Sequence, residues 1–95
     1  MPDLGDVAMR IRSKNAGPFW ITIDIFCDAE GFARVRAIPT EGFCARLGVS
    51  DLKRFDLEEL HVVKLSLPRP QVQGSARDRD MHGAALAEVL RGMPV

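Results

Sequence analysis

The sequence predicts an α+β fold: an open, mostly antiparallel sheet of three or four strands with two or three helices on one face. Three observations carry that expectation. Residues 19–27, "FWITIDIFC", alternate like a half-buried strand, and residues 60–67 form a second alternating run closed by Pro68. Between and after them lie segments whose apolar residues recur at helical spacing. Ninety-five residues make a single domain, 1–95, with a core that must be thin.

Taken in order, the opening segment reads two ways. Leu4, Val7, Ala8 and Ile11 suit a helix begun by Asp3, whereas Val7, Met9 and Ile11 suit a strand. In 19–27, Phe19, Ile21, Ile23 and Ile25 share one face, and Trp20, Thr22, Asp24 and Phe26 share the other. Asp28 is placed to cap a helix over 29–37, with Phe32, Val35 and Ile38 as its stripe and Pro39 beyond its end. Thr40 is the expected N-cap of a second, short helix carrying Phe43, Cys44 and Leu47, with Gly48 as a left-handed stop. Residues 52–56 and 60–67 read as an antiparallel pair of strands. Residues 68–80, "PRPQVQGSARDRD", have no period and read as a long polar loop. Asp80 then caps a last helix with Ala84, Leu86, Ala87 and Leu90 on one side and Gly92 as its stop. The sum resembles a ferredoxin-like sandwich.

Composition narrows the function. Thirteen basic side chains balance thirteen acidic ones, which argues against nucleic acid as a partner, because that needs a basic surplus to displace counterions. Balance argues equally against a membrane surface, and no apolar run approaches the roughly 20 residues of a spanning helix. The start, "MPDLGDVAMRIR", is acidic where a secretory leader is basic, so a cytoplasmic protein is expected. Cys27 and Cys44 lack metal-knuckle or redox spacing and read as reduced, partly buried thiols. No metal or other cofactor is expected.

Two polar clusters are the candidate sites. In "IRSKNAGPF", Arg12, Ser13, Lys14 and Asn15 precede Gly17-Pro18, and a turn there could pair backbone N–H groups with two cations to hold a carboxylate or phosphate. The plainer reading is a solvated turn, since no phosphate-loop spacing is present. In "GSARDRDMHG", Ser75, Arg77 and Arg79 could complete an anion site at the start of the last helix, while Asp80 and His82 are the candidate proton carriers. There too a plainer reading stands: Asp80 as a helix cap and His82 as a surface residue. If strand 20–27 pairs antiparallel with 60–67, both clusters lie at one edge of the sheet.

"LGDVAMRIRSKNAGPFWITIDIF" and "LSLPRPQVQGSARDRDMHGA" resemble a family of small bacterial proteins known only as a domain of unknown function. Its members are typically encoded beside, or fused to, a larger protein of the acyclic terpene utilisation (AtuA) type. The resemblance implies a two-component system in the catabolism of small organic acids or acyl compounds, and favours a strand for the opening segment. Where the family continues with a glutamine- and histidine-rich stretch, this chain reads "GAALAEVLRGMPV". That tail, with Leu4, Asp6, Ala8 and then Arg12-Ser13, is more similar to the ferredoxin-like C-terminal domain of the AtuA-type proteins. It puts a catalytic role for the last helix in doubt. The resulting expectation is a small subunit that binds an AtuA-type large subunit and lends a basic pocket to an anionic substrate. The alternatives are a stand-alone hydratase, lyase or isomerase using His82 or Asp80, and a non-catalytic dimeric metabolite-binding module. Trp20, Phe26 and Val62, on the side of the sheet away from the helices, predict a homo- or hetero-oligomer.

Overall fold

A computed structural model describes residues 2–17, 20–68 and 86–95 of the chain. Four strands form one antiparallel sheet: β1 (Arg10–Asn15), β2 (Trp20–Phe26), β3 (Lys53–Leu57) and β4 (Val62–Pro68), in the spatial order β1-β2-β4-β3. A single helical turn, α1 (Leu4–Val7), precedes β1. Two helices, α2 (Ala29–Arg36) and α3 (Thr40–Leu47), join the two hairpins, and residues 86–91 are helical near the end. The architecture is α+β, and its layering is compatible with a ferredoxin-like sandwich.

The core lies on one face of the sheet. Ile21, Ile23 and Ile25 of β2 and Val63, Leu65 and Leu67 of β4 are fully buried, packed in one cluster with Phe32, Val35, Phe43, Leu86 and Leu90 from the helices. Period-two alternation makes this possible, because the same strands send Trp20, Thr22, Asp24, Phe26, Lys64 and Ser66 to the opposite face. The antiparallel pairing of β2 with β4 runs from Trp20 opposite Pro68 to Phe26 opposite Val62.

The helices follow local signals. Asp28 caps α2, its carboxylate accepting from the Gly31 N–H at 2.7 Å. Gly31 is also a packing requirement, since a Cβ there would run into the Val7 carbonyl oxygen of α1. Gly48 ends α3 in the left-handed region at φ 72°. Thr40 is not the cap of α3: Pro39 occupies that position, and Thr40 is the first helical residue.

The opening segment is neither a continuous helix nor a continuous strand. It turns once as α1, with the Asp6 carboxylate accepting from the Asp3 N–H at 3.0 Å, then extends as β1. The two ends of the chain are laced together. Leu4 N–H donates to the Met93 carbonyl at 2.7 Å, Val95 N–H to the Pro2 carbonyl at 3.0 Å, and Asp3 bridges Pro94. No helix among the described residues is long and apolar enough to cross a membrane.

Candidate functional site

The strand registers set out the open face of the sheet as rows running across all four strands. Arg10, Phe26, Val62 and Leu57 make one row; Arg12, Asp24, Lys64 and Phe55 the next; Lys14, Thr22, Ser66 and Lys53 the third. Trp20 lies beyond them, opposite Pro68. Among the described residues, five cations therefore share this face with a single carboxylate. Trp20 and Phe55 are 40% and 49% exposed, which is high for aromatic side chains on a four-stranded sheet. The Lys53 ammonium reaches over β4 to stand 5.5 Å from the Trp20 ring centroid. Val62 is buried although it lies outside the main core cluster, so the open face has a small apolar centre of its own with Phe26 and Leu57.

The ion pairs of the described residues all lie off this face. Away from this face, Arg36 meets Glu58 and Arg54 meets Asp56, both at 2.9 Å, and Arg91 meets Glu88 at 3.4 Å. Among the described residues, Arg10, Arg12, Lys14 and Lys64 have no ion-pair partner, and neither does Asp24, which lies in register between Arg12 and Lys64. The Thr22 hydroxyl, in the middle of the third row, is buried without a hydrogen-bond partner.

The run Arg12 to Asn15 lies within β1 rather than in a turn, and strand alternation splits it. Arg12 and Lys14 stand on the open face. Ser13 and Asn15 stand on the helix side, where the Ser13 hydroxyl accepts from the Ala87 N–H at 3.2 Å and so receives the last helix. The turn proper is shorter. Gly17 sits at φ 85°, and Ala16 N–H donates to the Trp20 carbonyl at 2.8 Å. Ser75, Arg77, Arg79, Asp80 and His82 lie outside the described residues. Among the described residues, Pro68 pairs with Trp20 at the start of β2, and Ala87 meets Ser13 of β1.

A concavity of about 520 Å³ lies on the helix side, lined by Ala29, Phe32, Arg36, Glu58 and His61 among others. Its His61 occupies the left-handed region at φ 53°, with its ring 5.6 Å from that of Phe32. Burial, with the Asp28 carboxylate as a smaller cause, pushes the Cys27 thiol up from its ordinary range. Among the described residues no group of acidic, His or Cys side chains could hold a metal ion.

Arg10, Lys53, Phe55 and Lys64 were not candidates from the sequence. Their signal is there, as cations or aromatics at the outward positions of "RIRSKN", "KRFDL" and "VVKLSLP", but it becomes a cluster only once the strand order is known.

No curated protein and no solved structure matches the chain. A family described as a domain of unknown function does match, over residues 4–93, and the chain therefore belongs to that family, DUF4387.

Proposed function

We propose that the chain is the small subunit of a two-component cytoplasmic enzyme, docked through the open face of its sheet on a large subunit of the AtuA type. The carrying observation is the asymmetry of the sheet. One face is closed by helices; the other presents exposed Trp20, Phe55 and Leu57 among five cations, a surface that a domain standing alone has no reason to keep. Arg12 and Lys14 project from the edge strand β1, so docking leaves them at the rim of the interface, where they can meet a carboxylate or acyl substrate. The catabolic reaction, of the lyase or hydratase type, then belongs to the assembly, with the small subunit supplying charge at the substrate.

Co-expression with an AtuA-type large subunit tests this reading. The two chains are expected to elute together, turnover is expected only from the pair, and Phe55→Asp is expected to separate them. Independent elution of the two wild-type chains, or a complex indifferent to Phe55→Asp, removes the docking reading. Within a working complex, Lys14→Met is expected to raise KM about tenfold or more, the loss of one charge-assisted contact to the substrate.

A further inference from the structure

We infer that the surface covering the open sheet face is an acidic protein surface, with carboxylates set to meet Arg10, Lys53 and Lys64 around an apolar seat for Phe55 and Leu57. This rests on the docking reading above and adds the chemistry of the partner.

The argument starts from unpaired charge. Arg10, Arg12 and Lys14 follow one another at alternate positions of one strand, about 7 Å apart, and repel. Lys64 and Lys53 extend the same field across β4 and β3. Elsewhere among the described residues, Arg36, Arg54 and Arg91 are matched with carboxylates at 2.9 to 3.4 Å, and Arg46 donates to the Val89 carbonyl at 2.9 Å. On this face four of the five cations have no such partner among the described residues, and the fifth, Lys53, lies over an aromatic ring. Folding gains nothing from that arrangement, whereas an incoming set of carboxylates would relieve it.

Charge also discriminates between occupants. A second copy of the chain, seated by a two-fold axis on this face, would set five cations against five. A polynucleotide answers to the field of the whole molecule, and here the net charge is zero, so the surplus on the sheet is cancelled at long range by an acidic surplus elsewhere. A shaped acidic patch acts at contact distance, where that cancellation does not reach. The exposed apolar residues complete the case for a protein surface, since Phe55 and Leu57 need a dry seat rather than a charged polymer.

Calorimetric titration of the chain into the AtuA-type large subunit, at about 50 and about 300 mM salt, tests the inference. The affinity is expected to fall about tenfold or more between the two. Arg10→Glu and Lys53→Glu, both at exposed positions, are each expected to weaken binding about tenfold or more at low salt, while Arg34→Glu on the solvent side of α2 is expected to leave it unchanged. Binding that ignores both salt and charge reversal shows a partner surface that is not acidic, and overturns the inference with docking intact. No binding at either salt overturns docking and inference together. A single-stranded oligonucleotide bound more tightly than the large subunit, or a homodimer in sedimentation that Phe55→Asp dissociates, overturns it in favour of another occupant.

Discussion

Arg54 stabilises the corner between α2 and α3. Its guanidinium donates to the carbonyls of Arg36, at 2.9 Å, and Ile38, groups left without helical partners where α2 ends. The same group pairs with Asp56 and lies 5.2 Å from the Phe43 ring centroid. Arg54→Met keeps the aliphatic packing and removes the donors, so urea denaturation is expected to show a loss of about 1 to 3 kcal/mol; a change within about 0.5 would show that water replaces them. Nothing in "KRFDL" announces this role, because a side chain bonded to distant backbone leaves no periodic trace in the sequence. Cys27 offers a second test. Its thiol is held protonated by burial and, to a lesser extent, by Asp28, whereas unfolding returns it to its ordinary value. Above that value the unfolded chain sheds a proton that the folded chain keeps, so stability is full below the ordinary thiol range and falls as pH rises through it. Cys27→Ala is expected to flatten that alkaline decline, and an unchanged slope would assign it to other groups.

At the scale of elements, what was legible and what was not have physical causes. β2, β4, α2 and the end of α3 were readable because each spends its apolar residues on one buried face or carries its own cap, as at Asp28 and Gly48. The start was not readable because a four-residue turn of helix runs straight into a strand, and each periodicity fits half of the window. The strand character of "RSKN" was hidden for another reason. β1 keeps a buried apolar residue at Ile11, but its later inward positions, Ser13 and Asn15, are polar and exposed or half-buried, so the alternation stops before the strand does. The hairpin that follows gives a paired prediction. Gly17→Val forces a branched side chain to φ 85° and is expected to destabilise the domain by about 1 to 2 kcal/mol, whereas Lys14→Met, at an exposed and unpaired position, should leave the melting temperature unchanged. Equal losses from the two would make the cation a structural part of the hairpin.

Over the whole molecule, the cationic face could not be seen from the chain's charge, because a sum of zero hides how the signs are sorted between the two sides of the sheet. The sheet order also sets which amides open last. β2 and β4 are central and buried on the core face, so their amides are expected to exchange most slowly, with β1 and β3 faster at the edges. Fast exchange in β4 would mean that the two hairpins open independently. The lacing of Pro2, Asp3 and Leu4 with Met93, Pro94 and Val95 bears on how such a domain can be rewired. With both ends side by side, a short Gly-Ser bridge could join them, and the chain could be cut anew at Gly48–Asp51, between α3 and β3, without breaking a strand or a helix. The same adjacency means that the domain can be inserted into a surface loop of another protein as readily as appended to its end, entering and leaving through one doorway.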